Sequence, residues 1–232
     1  DSNVKGISYY YYRTGKAQNS INMPGGQISG GLTGQTGIEL SVRPPLTGFV
    51  DDRQLEFFSR IYGNSGTGSL NYNQHSSQAG FGVRYKPFRT ENLWLSGERL
   101  VKIGDAALDE WLFRLLYSRG SGAAPVYGIN RQNYTLLYGE VDYYVRSATT
   151  AAYLEARKGV SYRLGSAYML IPHLIFDGQW KTPFAVGGNF IEGGAGVSVK
   201  FFFNGTRYIE YRNIFDISMH YKHGMFMDSG VR

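Results

Sequence analysis

Residues of opposite character alternate with a period of two along almost the whole chain, and this regularity restricts it to strands. Leu137, Gly139, Val141, Tyr143 and Val145 interleave with Tyr138, Glu140, Asp142, Tyr144 and Arg146. Trp111, Phe113, Leu115 and Tyr117 alternate with Arg114 and Ser118, and Ala79, Phe81, Val83 and Tyr85 with Gly80, Gly82 and Arg84. Ala195, Val197, Val199 and Phe201 oppose Gly196, Ser198 and Lys200. Phe215, Ile217, Met219 and Tyr221 oppose Asp216, Ser218 and His220, while Ile38, Leu40 and Val42 oppose Glu39, Ser41 and Arg43. Successive side chains of a strand point to opposite faces, so each segment has one apolar and one polar face. Helical periodicity hardly appears.

The pattern places strands near 4–13, 26–33, 36–43, 53–62, 77–86, 92–101, 110–119, 132–146, 150–162, 166–176, 190–202 and 212–222. Most span about nine to eleven residues, the length with which a tilted strand crosses a bilayer. The fold expected is all-β, an antiparallel outer-membrane transmembrane β-barrel of about twelve strands, with ten to fourteen as the range. Residues 1–232 are expected to form this single domain. The stretch Gly26–Arg43 also reads as one bent strand.

Alternation alone does not say which face meets water, and a soluble barrel of the lipocalin type would turn the apolar face inward. Two features favour the membrane. Aromatic residues gather near strand ends on the apolar face, as in interfacial girdles: Tyr9, Tyr11, Trp111, Tyr117, Tyr143 and Tyr221. The polar face carries both signs of charge at mid-strand, which a water-filled interior solvates and pairs. Glu56, Arg60, Arg84, Glu98, Arg114, Glu140, Asp142, Arg146, Glu155, Arg157 and Lys200 are therefore expected to line the lumen. Phe81, Val83, Phe113, Leu115, Val141, Tyr143, Val197 and Ile217 are expected to face lipid. On this reading, Arg is costly at Val141 and much better tolerated at Ser198. The polar, glycine-rich stretches 13–25 and 63–74 read as long surface loops, and 86–92 and 146–150 as tight turns on the opposite side. The long connection 118–131 does not fit that alternation.

Composition removes other classes. With 19 Tyr, 14 Phe and only 18% charged residues, the chain has ample apolar surface to bury and is not disordered. Its 31 glycines have no three-residue period and proline numbers only 7, which excludes a collagen-like helix. Cysteine is absent, so neither a disulfide framework nor a thiolate metal site is available. No apolar run approaches the length of a membrane-spanning helix. The opening Asp-Ser-Asn-Val-Lys is not a signal peptide, so a mature product or a fragment is expected. The net charge of +6 is scattered singly apart from Arg84, Lys86 and Arg89, so nucleic acid is not expected as the primary ligand.

Catalytic constellations are weak. His220 shares a strand face with Asp216 and Ser218, but strand residues four apart lie about 13 Å from each other, too far for a hydrogen-bonded triad. His75 falls in a polar stretch, and His173 in an apolar strand after Pro172. Asp51-Asp52 reads as a solvated turn. The glycine-rich stretches lack the ending of a phosphate loop. Glu98-Arg99 with Arg114, Glu140 and Asp142 is the best candidate for an ion-pair ladder that constricts a pore or stiffens its wall. No catalytic residue, metal or cofactor is expected.

The segment Gly82-Val83-Arg84-Tyr85-Lys86-Pro87, then Asn92-Leu93-Trp94-Leu95-Ser96-Gly97-Glu98-Arg99-Leu100 and Lys102-Ile103-Gly104-Asp105, resembles the C-terminal domain of the bacteriophage adsorption protein A family (NfrA). Asp109-Glu110-Trp111-Leu112-Phe113-Arg114, Ala152-Tyr153-Leu154-Glu155-Ala156-Arg157, Leu170-Ile171-Pro172-His173-Leu174 and Gly194-Ala195-Gly196-Val197-Ser198 are similar to it too. The resemblance covers roughly residues 37–223, and 82–114 is its most specific part. It implies an outer-membrane barrel preceded by a periplasmic helical-repeat region, linked to secretion of a surface polysaccharide and to phage docking. The partners implied are the lipid bilayer, the polysaccharide and a phage tail or sheath protein. This chain has no 34-residue periodicity, so the helical-repeat region is absent from it. The alternative readings are a membrane-barrel hydrolase or acyltransferase and a soluble β-barrel binding module.

Overall fold

The computed structural model describes residues 4–16, 30–42, 55–68 and 77–226, except 89, 106, 127, 166, 184–188 and 203–213. Among the described residues there is no helix. Eleven strands follow one another: β1 (Val4–Lys16), β2 (Gly30–Val42), β3 (Leu55–Gly68), β4 (Gln78–Tyr85), β5 (Asn92–Lys102), β6 (Glu110–Ser121), β7 (Arg131–Tyr144), β8 (Thr149–Leu164), β9 (Tyr168–Thr182), β10 (Phe190–Phe202) and β11 (Ile214–Phe226). Each pairs with its neighbours in sequence, giving one sheet in the order β1 to β11, with β1 and β11 as its ends among the described residues. The resolved ladders are antiparallel.

The eleven strands of the described residues fall within the expected ten to fourteen, and 26–33 and 36–43 are not separate, as the reading of that stretch as one strand allows. Gly34 and Gly37 stay in the ladder, opposite Ser65 and Tyr62, and β2 runs through them. Every residue except proline brings an N–H and a C=O whatever its side chain, so polar, glycine-rich sequence still extends a ladder when a partner is in register. The same effect turns residues 63–68, expected as loop, into the end of β3, held against Gly31–Thr36. In a meander each connection changes ends. The short connections 86–91 and 145–148 are separated by three strands and so lie at opposite ends, not the same one. The long connection between β6 and β7 therefore shares an end with 86–91 and lies opposite 145–148.

The chain forms two compact units: Asp1–Pro87 with Leu95–Phe113 and Tyr144–Ser147, and Phe88–Trp94 with Arg114–Tyr143 and Ala148–Arg232. In both, the strand faces are inverted relative to a water-soluble sheet. In the first unit Ile38, Leu40, Phe57, Ile61, Phe81, Val83 and Phe113 are exposed while Glu56 and Glu98 are buried. In the second, Leu115, Val141, Leu154, Leu174 and Phe176 are exposed while Asp142, Asp177, Ser161 and Ser198 are buried.

The buried faces are not wholly polar. Phe58, Leu100 and Leu112 are buried in the first unit. In the second, Tyr134, Met169, Ile171 and Phe202 form an apolar cluster, with Ala123 and Leu136 packed against it. Strand β9 carries this reversal: Met169, Ile171, His173, Ile175 and Asp177 are buried in alternation with exposed Tyr168, Pro172, Leu174 and Phe176. Over 166–176, the range expected for this strand, both phases are largely apolar; the residues that mark the buried phase as the polar one, Asp177, Gln179 and Lys181, lie beyond it.

Inward glycines make room for long side chains. A Cβ on Gly80 would lie 1.9 Å from Glu98 Oε1, and one on Gly82 2.6 Å from the Phe58 ring. Ser198 departs from expectation: it is 1% exposed and its hydroxyl lies 2.6 Å from that of Ser218. An Arg there finds no open water, so Ser198 is not the tolerant position the alternation implied.

Ile171→Ala removes a fully enclosed side chain and should cost about 2–5 kcal/mol, transfer and cavity terms together. Leu174→Ala, three residues on and 67% exposed, leaves no cavity and should cost well under half as much. Denaturant unfolding of the refolded variants measures both; equal losses would mean that the two faces of β9 are wrongly assigned.

Candidate functional site

The charged residues of the buried faces form ion-paired walls. In the first unit Glu56 stands directly across from Arg84 in the β3–β4 register. Arg84 Nε donates to Glu56 Oε2 at 2.6 Å, and its Nη1 lies 2.8 Å from Glu39 Oε1 on β2. Arg60 grips Glu98 with two parallel contacts of 2.5 Å, from Nε and Nη2. This pair skips a strand: Arg60 is on β3 and Glu98 on β5, and Gly80 of β4, opposite Arg60, leaves the space in which they meet. The Arg60 and Arg84 guanidiniums also lie 5.1 and 5.2 Å from the rings of Tyr62 and Phe58.

The second unit repeats the theme. Arg114 of β6 donates from Nε and Nη2 to both Asp142 oxygens at 2.7 Å, with Glu140 Oε1 3.4 Å away. Tyr138 donates its hydroxyl to Glu140. Arg157 pairs with Glu155 at 2.7 Å, and Glu155 also accepts from Tyr153 at 2.8 Å. Lys200 lies 3.4 Å from Asp216 across the β10–β11 ladder. Lys222 of β11 reaches over β10 to Asp177 of β9 at 2.9 Å and also holds Glu192. His173 of β9 and His220 of β11 meet over Gly196 of β10, Nε2 to Nε2 at 3.0 Å.

Of the residues expected to line an interior, Glu56, Glu98 and Asp142 are buried, and Arg60, Arg84, Arg114, Glu140, Glu155, Arg157 and Lys200 are half-buried on the same faces. Arg146 is not among them. It is exposed in the turn after β7, where the Glu110 carboxylate accepts the amides of Arg146 at 2.5 Å and Ser147 at 3.1 Å and ends the strand early. Of the residues expected on the apolar face, Phe81, Val83, Phe113, Leu115, Val141, Tyr143 and Ile217 are exposed, whereas Val197 is only half-buried. Trp111 and Tyr221 are exposed as girdle residues should be, but Tyr117 is half-buried and donates to Glu91 at 3.0 Å. The side chains of Tyr9 and Tyr11, along with His75, Asp51-Asp52, 17–25 and 69–74, lie outside the described residues.

Glu39, Asp177, Glu192 and Lys222 were missed. Continuing the polar phase of β10 and β11 to their ends would have found Glu192 and Lys222. Ser218 and His220 do not converge: Ser218 lies between Ser198 at 2.6 Å and Asp216 at 3.1 Å, while His220 engages His173.

A family profile described as Bacteriophage N adsorption protein A C-term (NfrA_C) matches residues 70–230. The chain belongs to that family. No curated protein and no solved structure gives a significant match. The match spans β4 to β11, and with them most of the charge network.

Breaking one partner of a buried pair leaves the other charged and unsolvated, at about 3–5 kcal/mol. Arg114→Met should therefore destabilise the chain strongly through Asp142, while Arg114→Met with Asp142→Leu should recover most of the loss. A double-mutant cycle in denaturant checks this, and additive losses would mean that the two residues are not coupled.

Proposed function

We infer that the chain is an outer-membrane β-barrel whose ion-paired interior is a conduit for a surface polysaccharide and whose connecting segments dock phage. The observation that carries this reading is the inversion of the two faces. Water leaves a large aliphatic and aromatic surface exposed only at a cost of about 25 cal/mol per Å², and contiguous apolar patches of this extent mark a membrane or partner surface. Lipid removes that cost, and a closed barrel satisfies every strand edge within it. Eleven antiparallel strands in succession leave β1 and β11 running the same way. Bacterial barrels close antiparallel with an even number, so the reading takes an even strand count within the ten to fourteen expected. It also takes the chain as one domain.

The interior suits a hydrated polymer. Its charges are internally paired, so they offer hydrogen bonds without a strong net grip, and Tyr138 and Tyr153 add neutral hydroxyls. Family membership supports the phage half of the reading, with a tail or sheath protein as the partner. The reading is non-enzymatic, with no cofactor.

Because the chain has no cysteine, single cysteines can be placed freely. Spin labels at Val141 and Phe176 in lipid vesicles should be relaxed by oxygen dissolved in the bilayer, and a label at Glu155 by a water-soluble nickel chelate. The opposite pattern would place the apolar face inward, as in a soluble barrel. Deleting residues 69–76, which join β3 to β4, should abolish phage attachment while the barrel stays folded and heat-resistant in detergent. Attachment that survives this deletion and that of 17–25 would defeat the docking half of the reading.

A further inference from the structure

The geometry points to a transition-metal site at His173 and His220, a di-imidazole centre for Cu²⁺, Ni²⁺ or Zn²⁺ on the buried face of β9–β11. Three observations assemble it. The two Nε2 atoms are 3.0 Å apart. With metal–nitrogen bonds of about 2.0 Å, adjacent ligands stand roughly 2.8 Å apart in a square-planar site and about 3.3 Å apart in a tetrahedral one, so the observed separation suits one ion.

His173 is already oriented as a ligand. Its Nδ1 lies 2.8 Å from the carbonyl oxygen of Ile171. A carbonyl only accepts, so Nδ1 carries the proton and Nε2 of the neutral ring presents its lone pair. A second ring nitrogen anchored to a backbone carbonyl is the usual support of a metal-bound histidine. In the metal-free protein, His220 Nε2–H donates to that lone pair. On binding, His220 carries its proton on Nδ1 instead, and the ion sits beside the line between the two Nε2 atoms, bonded to both, in place of their hydrogen bond.

The strand between them is built to permit this. Gly196 stands opposite both histidines in register, and a Cβ there would lie 2.1 Å from His220 Cδ2 and 3.0 Å from its Nε2. The nearby cations are already held: Arg157 pairs with Glu155 at 2.7 Å, and Lys222 with Asp177 at 2.9 Å. Two protein ligands leave the remaining positions to water or solute oxygen, so the site is open, and the ion fastens β11 to β9 across β10.

Titration of the detergent-folded chain with Cu²⁺ near neutral pH, followed by electron paramagnetic resonance, tests the site. One ion per chain with splitting from two imidazole nitrogens is expected. His173→Gln and His220→Gln should each weaken binding at least tenfold. Gly196→Ala should do so too, although it removes no nitrogen. His223→Gln, at an exposed position of the same strand, should leave binding unchanged. A spectrum with one nitrogen or none, or binding that follows His223, would overturn the site. The nitrogen count is read on the unmodified chain, so it decides the matter even if a variant fails to fold.

Discussion

Buried charges that meet across an intervening strand are the interaction on which the rest of this structure depends. Arg60 and Glu98 join over Gly80, and Lys222 and Asp177 join over β10 near Gly194. Each contact ties three strands rather than two, and the first needs a position with no side chain in the middle strand. The glycine content of the chain follows in part from that need. A Cβ at such a position would push the partners apart and leave at least one buried charge unpaired, a loss of several kcal/mol. The apolar residues fall on the other phase of the same strands and cannot cover this network. They are left exposed on the opposite face, and the proposed membrane reading rests on that inversion.

The strands themselves were plain from the alternation of residue types, because a two-residue period has few other outcomes. Phe81, Val83, Phe113 and Val141 separated correctly from Arg84, Arg114 and Glu140 on phase alone. Boundaries were less visible where hydrogen bonding, which is blind to side chains, carried a ladder through Gly34, Gly37 and residues 63–68. Arg146 was misplaced because Glu110, distant in sequence, caps the turn in which it lies. The phase of β9 was ambiguous because the expected strand stopped at 176, short of Asp177, Gln179 and Lys181 on its polar phase, and the buried cluster around Ile171 depends on neighbours that one strand's pattern does not reveal.

The site was legible as a set of residues and not as a set of partners. Composition and phase selected Arg114, Glu140 and Asp142, which do meet. They offered nothing to join His173 with His220, 47 positions apart, or Asp177 with Lys222. Those pairings depend on the register of β9, β10 and β11, and register is set by the ladder as a whole. The buried face is also less wet than the sequence implied, because Met169, Ile171, Phe202 and Leu100 occupy space that a uniformly polar lining would leave to water.

Single-channel recording of the purified chain in planar bilayers tests the central claim most directly. A closed, inverted-polarity barrel with an ion-paired interior should give discrete conductance steps, and neutralising Arg114 together with Glu140 should change their ion selectivity without preventing insertion. Insertion of a folded chain with no conductance under any applied voltage would contradict the conduit and leave the paired charges as reinforcement of a plugged wall.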